Sequence, residues 1–195
     1  MAGVAGPMLR DDRWGGTRFL LGLLVGGILG AAVLAVPFYL LATGVTAVLP
    51  EAVRVGLVIV VALGFGVADL RQRTPHVWRQ VPQSLVRTLP PGSLGVVWGF
   101  DLALLFTTQK TTSFLWVALA ALVLLSPAAL PTTLVVVAVL AVLSMVALSI
   151  RKPTTTPIDE EKGRRWQDWQ RIIRRWSGAT LLVAAVAQAS LLNWG

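Results

Sequence analysis

Two stretches without a single charged residue, 19–49 and 113–150, constrain this chain more than anything else in it. Roughly 20 helical residues cross the hydrocarbon core of a bilayer, and each stretch is longer than that. A soluble domain carries roughly 25% charged residues. Here 13% are charged and 55% hydrophobic, which leaves too little polar surface for water. The fold class that follows is all-α: a polytopic α-helical membrane protein with about five or six transmembrane helices.

The net charge of +8 would suit nucleic acid, but its placement argues for lipid. Apart from Arg54 and Lys110, the basic residues fall in three blocks: Arg10, Arg13 and Arg18; Arg71, Arg73, Arg79 and Arg87; and a third block within 151–175. Each abuts an apolar run, the pattern of cytoplasmic loops under the positive-inside rule. The expected partners are therefore the bilayer and its anionic headgroups, not nucleic acid. The chain has no cysteine, which excludes disulfides, thiolate metal sites and thiol redox chemistry. The lone His76 lies in a basic loop without a second His to share a metal. No cofactor or metal is implied.

Apolar and polar runs divide the chain into an N-terminal cytoplasmic tail (1–16), a first membrane unit (17–69) and a basic cytoplasmic loop (70–92). A second membrane unit (93–150), a basic loop with an amphipathic helix (151–178) and a last transmembrane helix (179–195) follow. The apolar run after Arg18 is too long for a cleaved signal and is expected to be retained. Pro37 interrupts it, implying either a long kinked helix or a span followed by a re-entrant piece. If the N-terminus and both basic loops are cytoplasmic, an even number of crossings separates each pair. The short piece 93–106 is then a half-membrane or re-entrant segment, giving five crossings; counting it as a span gives six.

Leu21-Gly22 to Gly26 and Leu94-Gly95 to Gly99 form a weak internal repeat, an arrangement common where repeats frame a midplane site. Gly22, Gly26 and Gly30 recur every fourth residue, as do Gly95 and Gly99. Small residues at that spacing let helices approach closely, so these five are read as helix-packing positions. Asp101 is the sharpest single feature, because a carboxylate near the bilayer centre costs about 2.5–3.5 kcal/mol. On a continuous helix it shares a face with Leu105, Thr108 and Thr112. Thr107, Thr108, Gln109 and Lys110 form a polar break, read either as a short outer loop or as part of a pathway opposite Pro37. In 156–176, Trp166, Trp169, Ile172, Ile173 and Trp176 fall on one face of a basic helix. The three tryptophans are expected to anchor it at the cytoplasmic interface, with docking onto a partner protein as the alternative.

Arg79-Gln80-Val81-Pro82, followed by Gly95 and Trp98-Gly99-Phe100, resembles a pattern in uncharacterised multispan proteins of high-GC bacteria. These are distantly similar to the cytochrome c biogenesis transmembrane family, which conducts reducing equivalents through paired Cys-Pro motifs in two broken helices. The resemblance covers roughly residues 50–150. It implies duplicated, broken helices in a bacterial cytoplasmic membrane. It does not imply thiol-disulfide conduction, since the cysteines are absent and Asp101 and Ala103 stand near where glycines are usual. The expected function is movement of a small solute or ion, with Asp101, Thr107, Thr108, Gln109 and Lys110 lining the path opposite Pro37. The alternative is a non-transporting scaffold or accessory subunit that meets a membrane-protein partner or a second copy of itself. No nucleophile–base pair or metal cluster is legible, so an enzyme is not expected.

Overall fold

The computed structural model describes residues 12–74, 85–104, 112–151 and 160–192, which are almost entirely helical and contain no strand. In chain order the helices are α1 (Arg13–Val48), α2 (Glu51–Leu70), α3 (Leu85–Thr88), α4 (Pro91–Ala103), α5 (Phe114–Leu125), α6 (Leu130–Arg151) and α7 (Glu160–Leu192). A short 3-10 turn, Pro127–Ala129, precedes α6. Three helical stretches are long and apolar enough to cross a membrane: Arg13–Val48, Glu51–Leu70 and Pro127–Ser144.

The local chemistry accounts for where several helices start. Asp12 accepts a hydrogen bond from the Trp14 amide (3.1 Å) and so caps α1. Residues 13–16, grouped with the tail by composition, are therefore helical. Pro50 is extended and Glu51 lies in the first turn of α2, where a carboxylate complements the helix's positive end. Pro90 is extended and Pro91 opens α4, where its missing N–H costs nothing.

α1 is one continuous helix of 36 residues with Pro37 inside it, about 54 Å long at 1.5 Å per residue. That selects the long-helix reading of the first apolar run over a re-entrant piece. Residues 160–176 of the amphipathic segment and the last apolar run as far as Leu192 likewise belong to a single helix of 33 residues, α7. Nothing in 176–180 (Trp-Ser-Gly-Ala-Thr) breaks it, because one glycine in a helix interior costs only about 1 kcal/mol. The capping residues read from sequence, Thr156 and Pro157, lie outside the described residues.

The chain forms two compact units that interleave along the sequence. The first comprises 1–36, 77–108 and 131–157; the second comprises 37–76, 109–130 and 158–195. The boundary within α1 falls at Pro37. In the first unit Phe19, Leu23, Leu94, Trp98 and Val142 form the buried core, with the Phe19 and Trp98 rings edge to face at 5.8 Å. In the second, α2 packs against both α5 and α7.

Candidate functional site

In the first unit, α4 lies so close to α1 that the glycines are indispensable. A β-carbon on Gly22 would strike the carbonyl oxygen of Gly92, one on Gly26 that of Val96, and one on Gly30 that of Phe100 at 2.7 Å. From the other side, Gly95 faces the carbonyl oxygen of Phe19 and Gly99 that of Leu23. Each glycine thus presents hydrogen, not a side chain, to a carbonyl of the facing helix. Such Cα–H···O contacts contribute about 0.5–1 kcal/mol each. Residue numbers rise together along this contact, so α1 and α4 run parallel. The two copies of the internal repeat are the two halves of one interface.

Asp101 sits in the last turn of α4 and is 7% exposed. It follows Leu94 and Trp98 at offsets of seven and three, on the buried stripe that joins the core. α4 ends at Ala103, and Leu104 is extended (φ −69°, ψ 103°). The helix that carries Asp101 therefore stops well short of Thr112, which corrects the continuous-face expectation; Leu105 and Thr108 lie outside the described residues. The local reason is at Leu104, whose amide makes the last bond of the helix, to the Phe100 carbonyl (3.2 Å), and whose extended backbone cannot carry the helix further. With 13 residues, α4 is about 20 Å long, short of a hydrocarbon core of about 30 Å. Thr107, Thr108, Gln109 and Lys110 lie outside the described residues. Pro37 is exposed on α1. Trp169 and Trp176 are exposed on α7, at 61% and 71%; Trp166 is on the same helix, its side chain outside the described ones.

The second unit holds a carboxylate that sequence reasoning passed over. Asp69, in the last turn of α2, is fully buried. Its Oδ1 accepts hydrogen bonds from the Thr74 hydroxyl (2.7 Å) and the Ser113 hydroxyl (2.6 Å). Its Oδ2 accepts from the Ser113 amide (2.9 Å) and the Ser177 hydroxyl (2.7 Å). A carboxylate has about four lone-pair sites, and all are filled, by α5's leading residue, by α7 and by the turn after α2. No room remains for a cation. Asp69 also offsets a conflict, because a carboxylate at the negative end of its own helix is unfavourable whereas one at the positive end of α5 is favourable.

Arg54, near the opposite end of α2, donates from Nη1 to the Leu124 carbonyl at 2.9 Å. That carbonyl is one of the last four of α5, which have no partner inside the helix. α2 thus holds α5 at both ends, with an acid at its positive terminus and a base at its negative terminus. α5 has 12 residues, about 18 Å, and like α4 falls well short of a hydrocarbon core of about 30 Å.

Beyond Asp69 the chain turns through Gln72, which has φ 58°. The Arg73 amide bonds the Ala68 carbonyl (2.8 Å) and the Gln72 amide bonds that of Asp69 (3.0 Å), a Schellman ending with glutamine where glycine is usual. The Gln72 side chain donates to the Arg171 carbonyl (3.3 Å), and Arg174 donates to the Gln72 carbonyl (3.4 Å). Glycine reappears where α2 and α7 cross: a β-carbon on Gly178 would lie 2.7 Å from the Gly66 carbonyl oxygen. Gly66 pairs with Gly178, and Gln72 with Arg171 and Arg174, so these two helices run antiparallel.

Asp69 and Gly66 did carry a sequence signal. Val58, Ala62, Gly66 and Asp69 are the buried residues of α2, at spacings of four, four and three. The acid therefore lies on the small-residue stripe and is not the first residue of a loop. Ser113, Ser177 and Arg54 carried none, since a lone hydroxyl or arginine does not announce its partner. Comparison of the chain with protein-family models, with curated proteins and with solved structures finds no match, so the resemblance to the cytochrome c biogenesis family stands on the sequence motif alone.

Proposed function

We propose that this chain is a multi-pass protein of the bacterial cytoplasmic membrane that moves a small ion or solute, with Asp101 as the group that the ion meets. The observation that carries this reading is a carboxylate buried on a helix too short to span, held against α1 by backbone contact. Intramembrane acids are costly and are retained where they serve an ion or proton path. Half-length helices ending in polar breaks are the usual setting for such sites.

The topology that fits has five crossings. α4 leaves the side of the first basic loop. Ser113, bonded to Asp69 beside Arg71 and Arg73, belongs on that side too, which supports reading the short piece 93–106 as re-entrant. α5, too short alone, then crosses together with Ser126 and the Pro127–Ala129 turn that extend it to residue 129, and α6 and α7 follow in turn. Because the chain has no cysteine, single cysteines at Ser93, Ser126 and Ser190 can be labelled in intact vesicles without background. The proposal expects Ser93 on the basic side and the other two opposite.

For function, vesicles reconstituted with the pure protein and loaded with a pH-sensitive dye are exposed in turn to proton, sodium and potassium gradients. Asp101→Asn is expected to slow the active flux at least tenfold while leaving the melting temperature unchanged. Equal flux from wild type and variant would move the weight to the scaffold reading. That second reading is favoured by the exposed Trp169, Ile172, Ile173 and Trp176 on α7. It expects a co-purifying partner that is lost from Trp169→Ser/Trp176→Ser.

A further inference from the structure

We infer that the end of α2 and the first half of α7 together form a binding site for the headgroup of an anionic phospholipid, best filled by one with two phosphates. The inference rests on the membrane reading above. The turn at Gln72 brings two runs of arginine to one end of the second unit. Arg71 and Arg73 flank Gln72, whose side chain reaches the Arg171 carbonyl, and Arg174 reaches back to the Gln72 carbonyl. Arg175 is the next residue on α7. Arg71, Arg73, Arg171 and Arg175 are exposed.

Among the described side chains, little negative charge opposes this group. Asp69, the nearest acid in sequence, is buried and has its lone pairs filled by hydroxyls and an amide, so it neutralises no arginine. Asp168 pairs with Arg171 at 3.5 Å. Among the described residues Arg71, Arg73 and Arg175 make no ion pair. Guanidinium groups match phosphate oxygens as forked donors. Trp176 and Trp169, both well exposed on the same helix, mark the depth at which indoles sit among headgroups. A strained left-handed glutamine, where glycine would form the turn more easily, is explained if the crossing bonds it makes align the arginines.

The test uses the full chain purified in an uncharged detergent, with melting followed by tryptophan fluorescence during titration with cardiolipin, phosphatidylcholine or inorganic pyrophosphate. Cardiolipin is expected to raise the melting temperature saturably, while phosphatidylcholine and pyrophosphate do not. The variant Arg71→Gln/Arg73→Gln/Arg175→Gln is expected to need on the order of a hundredfold more cardiolipin, from three basic residues lost at an anionic surface. The corresponding lysine variant keeps the charge and should fall between the two. An equal response to phosphatidylcholine, a full response to pyrophosphate alone, or a glutamine variant that responds like wild type would each overturn the inference. A chain that stays in the supernatant without detergent would instead overturn the membrane reading beneath it.

Discussion

α4 and α5 are nearly the same length and equally short for a membrane, yet they are held in opposite ways. α4 rests on α1 through five glycines that set backbone against backbone. α5 makes no such close glycine contact; it is held end to end by Asp69 and Arg54 of α2. Close backbone packing is strong along its whole length but repeats every four residues, so a register shift by one turn offers a similar surface. A charged latch at each terminus admits one register only. The difference assigns roles: α5 is fixed by its two ends, while α4 carries its buried acid on a helix packed by close backbone contact.

The most damaging change should be Asp69→Ala. It leaves the Ser113 amide and hydroxyl, Thr74 and Ser177 without their shared acceptor in a buried place. Polar contacts between membrane helices average only about 0.6 kcal/mol each, but stranding several donors around a removed charge costs more. About 3 kcal/mol is expected, read as a fall in the midpoint of denaturant or SDS unfolding. Asp69→Asn keeps one acceptor oxygen and should lose less. If Asp69→Ala melts like wild type, α5 is not latched and the contrast with α4 disappears.

Gly26→Ala tests the other half. The new methyl would meet the Val96 carbonyl and the Phe100 amide, both backbone, so α1 and α4 have to separate. Overpacking of this kind costs about 1–3 kcal/mol. A crosslink between cysteines placed at Arg18 and Gly92, whose β-carbons would stand 3.9 Å apart near the start of both helices, should form in the parent and slow markedly in the variant. An unchanged rate would mean that the helices tolerate a wider spacing.

How much of this was legible beforehand follows from what kind of force holds each part. Glycine packing has a period, so Gly22, Gly26, Gly30, Gly95 and Gly99 could be singled out from spacing alone. That the two motifs face each other could not, because a repeat is equally consistent with two separate sites. The latch has no period. Its donors come from 74, 113 and 177, and a serine looks the same whether it bonds its own helix, as Ser144 does, or a distant carboxylate. The end of α4 at Ala103 was only partly visible, as a polar break whose first helix-stopping residue, Leu104, is itself apolar. The continuity of α7 was hidden by composition, which changes sharply at Ser177 although the backbone does not.

Arg54→Met should sit below both in size. It removes a charge-assisted bond to the Leu124 carbonyl while keeping most of the side chain's apolar volume. About 1.5–2 kcal/mol is expected from the lost bond to a charged group. Hydrogen exchange makes the sharper measurement: the amides of 126–130, just past the released end of α5, should exchange faster, while those near Ser113 stay protected. Uniform acceleration along α5 would show that its two ends are not held independently.

The smallest effect should carry the opposite sign. Gly64 lies on α2 only two residues from Gly66, yet a β-carbon there would meet nothing within 4 Å. Gly66 faces α7, where the Leu182 side chain and the Gly178 carbonyl oxygen stand about 3 Å from its own missing β-carbon. A helical glycine without a packing role loses backbone entropy for no return, so Gly64→Ala should stabilise by about 0.5–1 kcal/mol. Gly66→Ala, with the same change in composition and propensity, should destabilise. The pair separates propensity from packing within one turn of one helix. If both variants gain stability, the α2–α7 crossing is looser than its glycines imply. If both lose it, some further helix or a second copy of the chain covers the face on which Gly64 lies, and the second unit has a neighbour along that side.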